Sequence, residues 1–452
     1  MALTIDLRWH GPGRPDSMIQ PIQTQVANSS GSALGPSLPL SLSDIEVFLA
    51  SSQPLDLACC PARSLASAFQ PIFSLAHKRI VGFEALIRPR DGDGRALPPP
   101  VLFNDRCTMA ELTALDRMSR FVHLLNFEAL NDGLSWLFLN IHPQVVVHGH
   151  SFGSFFEALL DRFNFPAHRV VVEIVEHPIT DNELLLSTVE YYRSLGCLIA
   201  LDDFGAGGSN FERVWNLGPH IVKFDRSFVL RAASRGSIRD ILPGLVHLFH
   251  QAGSLVLMEG VETSDQALIA LEAGADFVQG FHFARPLSDP DELLALSFDF
   301  RGLFAELKAR TLAREEVSRR ESSGWERLFR AAGALVHEDG NLSRAADLLF
   351  RDPQVVRCFL LTPDGVQIGQ TIPAPTYHSV MDPRFAPVEA AAQADWFRRP
   401  YLRRALREPG RVQITRPYLS ITGAHMCVTL SLCLEGPTGP LVLCCDLDWR
   451  PA

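Results

Sequence analysis

The sequence predicts an α/β protein: a (β/α)8 barrel over residues 61–300, then a smaller α+β domain over residues 324–452. Three observations carry this expectation. Between about residues 67 and 298, short apolar runs alternate with amphipathic helical stretches, the pattern of parallel strands joined by crossover helices. Six of those runs are each followed closely by a polar residue, in order Asn140, Glu173, Asp202, Lys223, Glu259 and Gln279. After Asp299 the pattern changes to a charged helical stretch and then to strands separated by tight turns.

Residues 1–60 are rich in Gly, Pro and Ser and are expected to be a flexible segment, with a short helix near Asp44–Ser51 that Ser43 would cap. The six runs are Trp136-Leu137-Phe138-Leu139, Val170-Val171-Val172, Leu198-Ile199-Ala200-Leu201, His220-Ile221-Val222, Leu255-Val256-Leu257 and Asp276-Phe277-Val278. Strands this apolar are buried on both faces. Helices are expected at 154–163, 183–195, 237–251 and 264–273. In a closed barrel all C-terminal strand ends meet on one face, and that face carries the chemistry. Six polar ends in succession therefore predict a ring of oxygen ligands with one lysine at a barrel mouth. An open doubly wound sheet would spread the same ends along a line.

Residues 301–323 form the expected connector helix, with Leu303, Leu307 and Leu312 as its sparse apolar side. A second amphipathic helix is expected at 325–336. Strands are expected at 355–361, 412–414, 426–434 and 441–447, the last two as a hairpin through Glu435-Gly436-Pro437.

The formal charge is 41 − 51 = −10, which disfavours general nucleic-acid binding because phosphate backbones recruit basic surfaces. Nine cysteines without a CxxC pair point to reduced thiols and a cytoplasmic protein rather than a disulfide framework or zinc knuckle. No signal peptide is expected from the N-terminal residues. The longest apolar stretch, 242–258, is interrupted by His247, His250 and Gln251, so no membrane span is expected.

The segment Phe69-Gln70-Pro71-Ile72, followed by Gly82-Phe83-Glu84-Ala85-Leu86-Ile87-Arg88, resembles the signature of EAL domains, which are bacterial phosphodiesterases that hydrolyse cyclic di-GMP to pGpG. Further motifs follow in order: Leu139-Asn140, Glu173-Ile174-Val175-Glu176, Asp202-Asp203-Phe204-Gly205, Lys223-Phe224-Asp225, Glu259-Gly260-Val261-Glu262-Thr263 and Gln279-Gly280-Phe281. The resemblance implies two Mg2+ or Mn2+ ions, with Ca2+ inhibitory. Glu84, Asn140, Glu173 and Asp202 would hold one ion. Asp202 would bridge to a second ion at Asp203, with Glu259 nearby and Gln279 holding a water. Lys223 would orient or deprotonate the attacking water, or neutralise developing charge. Gln70, Glu84, Leu86, Arg88, Asp225 and Gln279 would contact substrate, and Glu176 and Glu262 would support the loop after Asp203. A homodimer is implied.

The chemistry of the residues agrees, since two hard cations about 3.5–4 Å apart supply both a nucleophile and charge neutralisation at phosphorus, and oxygen donors suit them. The sequence departs from the family at Val175, at His142 and in the run Ala206-Gly207-Gly208-Ser209-Asn210-Phe211. These departures leave a second reading open: a catalytically weak cyclic di-GMP receptor signalling through protein partners. The segments Asp395–Tyr401, Arg416–Leu419 and Cys445–Trp449 loosely resemble PDC-type sensor domains of the PAS-like Cache group. That resemblance implies a regulatory module with a small-molecule ligand.

Overall fold

The computed structural model describes residues 38–51, 59–130, 133–148, 155–175, 182–207, 211–375, 391–421 and 425–449. Two compact units divide at Leu307/Lys308. Most of the expected flexible segment lies outside the described residues. Helix α1, Leu42–Ser51, is capped by Ser41 rather than Ser43: Ser41 Oγ accepts from Asp44 N at 3.1 Å, and Ser41 N donates to Asp44 Oδ2 at 2.9 Å. The reciprocal pair satisfies two backbone groups at once, which a cap one turn position later could not do.

The first unit is a closed eight-stranded barrel of β1 (Ser64–Ser74), β2 (Arg79–Arg90), β3 (Trp136–Asn140), β4 (Val170–Val175), β5 (Leu198–Phe204), β6 (Ile221–Phe224), β7 (Leu255–Met258) and β8 (Phe277–Val278). Strands β2 to β8 run parallel, and β1 is antiparallel to both β2 and β8. The reversal has a plain cause. Only Leu75–Lys78 separates β1 from β2, and a parallel crossover needs about a dozen residues.

The outer ring comprises α2 (Met109–Phe127), α3 (Pro143–His148), α4 (Phe156–Arg162), α5 (Asn182–Ser194), α6 (Phe211–Leu217), α7 (Ser227–Ser234), α8 (Gly236–Gln251), α9 (Ser264–Ala273) and α10 (Pro290–Leu294). The four expected helices form as α4, α5, α8 and α9. Helices α2 and α9 begin with reciprocal capping boxes, Thr108 with Glu111 and Thr263 with Gln266. Among the described residues no helix is long and apolar enough to cross a membrane.

Ile72, Phe138, Val171, Ala200, Ile221, Leu257 and Phe277 fill the barrel interior as one buried cluster. Burying each of the larger side chains contributes about 1.5–3 kcal/mol. Side chains two residues apart on a strand share a face. Two residues beyond Phe138, Val171, Ala200, Ile221, Leu257 and Phe277 stand Asn140, Glu173, Asp202, Lys223, Glu259 and Gln279. The polar residues are thus the next interior layer above an apolar plug. Because β1 is reversed, its contribution is Gln70, two residues before Ile72.

Cys59 and Cys107 form a disulfide, which corrects the expectation of reduced thiols throughout. They are 48 residues apart in sequence. The segment entering β1 meets the turn before α2, where Asn104 Nδ2 donates to the Cys59 carbonyl at 3.0 Å. The other seven cysteines are free and buried.

The second unit begins within α11 (Arg301–Asp339), one continuous helix across both stretches expected to be helical. It continues through α12 (Leu342–Leu349), β9 (Val355–Leu361), β10 (Gln367–Pro373), α13 (Pro400–Arg407), β11 (Gln413–Ile414), β12 (Tyr418–Leu419), β13 (Met426–Gly436) and β14 (Gly439–Asp448). The antiparallel sheet has the order β10-β9-β14-β13-β11, with β12 also paired to β13. Its faces alternate: Cys358, Leu360, Leu443 and Cys445 pack with Phe329, Ala332 and Ala346 of α11 and α12. Phe359, Leu361, Val442 and Cys444 pack with Tyr401, Leu402 and Ala405 around α13. Covering both faces explains why β9 and β14 read as nearly unbroken apolar runs.

Candidate active site

Strand β2 is longer than its neighbours, so Gly82, Glu84, Leu86 and Arg88 extend one face from plug to rim. At its base Gly82 is required by close approach, since a Cβ there would lie 2.9 Å from the Trp136 carbonyl oxygen. Gln70 lies opposite Glu84 in the β1–β2 register. Asn140 Nδ2 donates to Glu84 Oε1 at 3.1 Å, and Gln279 Nε2 donates to Glu84 Oε2 at 2.7 Å. Both oxygens of Glu84 are thereby oriented from β3 and from the end of β8.

Lys223 is 1% exposed and stands at the centre of the layer. Its Nζ lies 2.5 Å from Glu173 Oε1, 2.7 Å from Glu259 Oε1, 3.1 Å from Asp202 Oδ1 and 3.7 Å from Glu84 Oε2. Asp203 follows at φ +57°, a left-handed conformation uncommon outside glycine. It turns a second carboxylate toward the mouth, so that Asp202, Asp203 and Glu259 bring one oxygen each within 4.8 Å of one another. Gly205, at φ +101°, lies so close to Phe228 that a Cβ would sit 2.1 Å from its ring.

Five carboxylates thus face one ammonium, a balance of 1 − 5 = −4. Burial works against the Lys223 ammonium, but Asp202, Glu173, Glu259 and Glu84 outweigh it and hold its pKa well above the usual lysine range. Burial, then Glu84, pushes Glu173 well above the carboxylate range. Burial pushes Glu259 up to about 8 against the pull of Lys223. Burial and Asp202 raise Asp203. One ammonium leaves four negative charges of this layer uncompensated, an excess that two divalent cations would match.

The donor set fits such ions. Among the described residues, Glu173 Oε2 and Gln279 Oε1 are buried without a hydrogen-bond partner, and Glu173 Oε1 is paired with the Lys223 ammonium at 2.5 Å. The donors are oxygens, with no Cys or His among them, which suits a hard cation.

The remaining expected residues sit around this core. Arg88 is half-buried and donates to its own neighbour, the Ile87 carbonyl, at 3.1 Å. Leu86 shares its face. Gln70 Nε2 donates to the Ala284 carbonyl at 3.2 Å, which anchors the turn after Gln279. Asp225 Oδ1 accepts from Ser227 N at 2.9 Å at the start of α7. Glu262 lies 3.9 Å from Arg226 and, among the described residues, makes no hydrogen bond or ion pair with residues 203–207. Glu176 and the loop residues 208–210 lie outside the described residues.

Sequence reasoning missed Asp116 on α2. Its Oδ1 accepts from His142 N at 2.9 Å, two residues past Asn140. Its other oxygen pairs with buried Arg120, which donates to Tyr192 OH at 3.2 Å. His142 stacks on Phe103 with centroids 5.4 Å apart. These contacts make Asp116 a positioning residue for the end of β3. The Thr108/Glu111 capping signature marks this helix in the sequence, but buried charges on α2 blur its amphipathic pattern.

Fold and site together define a barrel protein with an acidic, cation-accepting mouth. The chain belongs to the EAL domain family, whose sequence pattern matches residues 57–286, or 230 of the 452. It is 31% identical over 154 residues to the cyclic di-GMP phosphodiesterase RocR of Pseudomonas aeruginosa, covering 34% of this chain and 39% of that protein. It is 28% identical over 231 residues to the probable cyclic di-GMP phosphodiesterase PdeN of Escherichia coli, covering 49% and 43%. The chain therefore spans less than half the length of these two relatives. The crystal structure of Bacillus subtilis YkuI, an EAL-domain protein in complex with cyclic di-GMP and calcium, superposes with a TM-score of 0.69 at 22% identity, over 85% of this chain and 96% of that one. At this identity the likeness shows the fold, and its extent reaches beyond the barrel into the second unit.

Proposed function

We propose that the chain is a metal-dependent cyclic di-GMP phosphodiesterase that releases pGpG. The observation that carries this reading is the interior layer itself: five carboxylates, Asn140 and Gln279 around buried Lys223, at the strand ends of an EAL-family barrel. Glu84, Asn140, Glu173 and Asp202 would hold one divalent cation, and Asp202, Asp203 and Glu259 a second. When bound, Mg2+ or Mn2+ supplies charge neutralisation at phosphorus and lowers the pKa of a water.

The chain's own residues supply positioning. Gln279 and Asn140 lock Glu84 in one rotamer. Lys223 holds a positive charge beside the reacting phosphate and can hold a proton at Nζ. Arg88, on the β2 face above Glu84, presents a planar fork suited to a second phosphate. Gln70 fixes the opposite wall.

The test is hydrolysis of cyclic di-GMP by the full chain with Mg2+ or Mn2+, with product identity read by chromatography. Stoichiometric pGpG formation supports the reading. Tight binding with no turnover under either ion would instead make the protein a receptor, and faster cleavage of another cyclic dinucleotide would reassign its substrate.

A further inference from the structure

The chain ahead of β1 is pinned to α2 and its approach at two places. Ile45 of α1 is fully buried in the barrel unit's core, with Leu38, Leu42 and Phe48 packed against that core, and Arg117 of α2 donates to the Leu40 carbonyl. Further on, the Cys59–Cys107 bridge ties the approach to β1 to the residue before Thr108, the N-cap of α2. Asn104 Nδ2 donates to the Cys59 and Val101 carbonyls, both at 3.0 Å, and Cys107 N donates to the Asn104 carbonyl at 3.0 Å. The bridge thus fixes the turn from which α2 starts.

About two turns into α2, Asp116 Oδ1 accepts from His142 N at 2.9 Å. His142 lies two residues beyond Asn140, whose Nδ2 orients Glu84. One helix therefore connects the bridge to the cation-accepting layer. Sulfur chemistry is confined to the same place. The other seven cysteines are free and buried. Burial raises the thiols of Cys60 and Cys433, pushes those of Cys197 and Cys427 up to about 12, and lifts those of Cys444 and Cys445 well above the usual range. Thiols held protonated and away from solvent are poor nucleophiles and resist oxidation. Cys107 is partly exposed, so a small reagent can reach the bridge from its side.

We propose that Cys59–Cys107 is a reversible redox-modification site, and that its reduction loosens the hold of the barrel mouth on divalent cations. The reductant is a low-molecular-weight thiol. Its thiolate attacks Cys107 Sγ, the sulfur–sulfur bond breaks, and the electron pair leaves on Cys59 Sγ, which takes up a proton. A second thiol resolves the mixed disulfide at Cys107. One protein disulfide and two small thiols thus give two protein thiols and one small disulfide, and the reverse exchange restores the bridge. Reduction opens a loop closed between positions 48 apart and removes the covalent restraint at the start of α2. The cation half of the inference rests on the reading of the mouth given above; the thiol half does not.

The test uses the full chain equilibrated in glutathione buffers of graded thiol-to-disulfide ratio. Maleimide labelling with peptide mass mapping should show Cys59 and Cys107 becoming free together as the buffer turns reducing, while the seven buried cysteines stay unlabelled in the folded protein. In EDTA the reduced form should melt below the oxidised form. Mg2+, titrated by calorimetry, should bind the reduced form about fivefold or more weakly, and by linkage Mg2+ should shift the thiol–disulfide exchange constant by the same factor. Cys59→Ser combined with Cys107→Ser should bind Mg2+ as the reduced form does and ignore glutathione; if that variant misfolds, the wild-type titration decides. Free Cys59 and Cys107 after equilibration with oxidised glutathione, or a bridge that survives strongly reducing glutathione, would overturn the site. Equal Mg2+ affinity in the two forms would overturn the coupling alone. No Mg2+ binding by either form would overturn the cation reading itself, and the coupling with it.

Discussion

Lys223 Nζ approaches Glu173 Oε1 to 2.5 Å at the bottom of the mouth, with both side chains essentially excluded from solvent. Among the described residues the lysine is the only cation within 4 Å of these carboxylates, so it sets the charge balance at their centre before any metal arrives. Removing it as Lys223→Met leaves Glu173 buried without a partner. Breaking a buried pair from one side costs about 3–5 kcal/mol. The metal-free variant should melt well below the wild-type chain in EDTA, and Mg2+ should recover more of the variant's loss than it adds to the wild type. Turnover should fall by about 10²–10⁴-fold. Equal unfolding temperatures in EDTA would remove Lys223 from this role.

Gly280 joins two halves of the site. It has φ +156°, and a Cβ there would lie 2.1 Å from the Val261 carbonyl oxygen and 2.3 Å from Val261 N. Both atoms are backbone, so the clash cannot be relieved by a rotamer change. Gly280→Ala should therefore displace Gln279 from Glu84 and shift the loop carrying Glu259. The expected result is a loss of cation affinity together with a lower unfolding temperature. A crystal structure of the variant that keeps the 2.7 Å Gln279–Glu84 bond would contradict this account.

Much of this site was legible because strand periodicity writes it into the sequence. Phe138 and Asn140, or Ala200 and Asp202, are two residues apart, so an apolar run followed by a polar residue marks plug and mouth together. The reversal of β1 was overlooked, although the four residues between Ser74 and Arg79 leave no room for a crossover. Strand β10 escaped notice because Gly369 and two glutamines interrupt its apolar pattern. Asp116 and the Cys59–Cys107 bridge were hidden for another reason: each depends on a tertiary meeting of distant segments that no local spacing encodes.

His123 gives the barrel an acid-sensitive element. It is buried on α2, and its ring Nδ1 is 2.8 Å from Ser67 Oγ on β1. Burial, with a smaller contribution from Arg88, lowers its pKa from 6.5 to about 3. The folded state therefore keeps the ring neutral while the unfolded chain protonates it. The contribution is fully present above about pH 6.5 and is lost as pH falls toward 3, at about 1.4 kcal/mol per pH unit where only the unfolded state is charged. His123→Gln should flatten the decline in unfolding free energy between pH 6.5 and 5 relative to wild type. Parallel curves for the two proteins would show that His123 is not the group responsible.

Asp202 should be the residue through which the two halves of the cation site communicate. One side of it faces Glu84, Glu173 and Lys223; the other forms a cluster with Asp203 and Glu259. A carboxylate with two oxygens can serve both groups, whereas an amide offers one acceptor and no charge. Asp202→Asn should therefore abolish Mg2+-linked stabilisation and turnover together. Asp225→Asn is the contrast, because that carboxylate accepts a backbone bond at the start of α7; its variant should keep the Mg2+ response in thermal unfolding. Ca2+ should also stabilise the wild-type chain, since oxygen donors accept it, while supporting little turnover because it tolerates irregular coordination. Calorimetric titration of both variants with Mg2+ and Ca2+, alongside hydrolysis rates, checks each part. If Asp202→Asn binds Mg2+ as tightly as wild type, Asp202 does not bridge the site, and the second cation must be held by Asp203 and Glu259 without it.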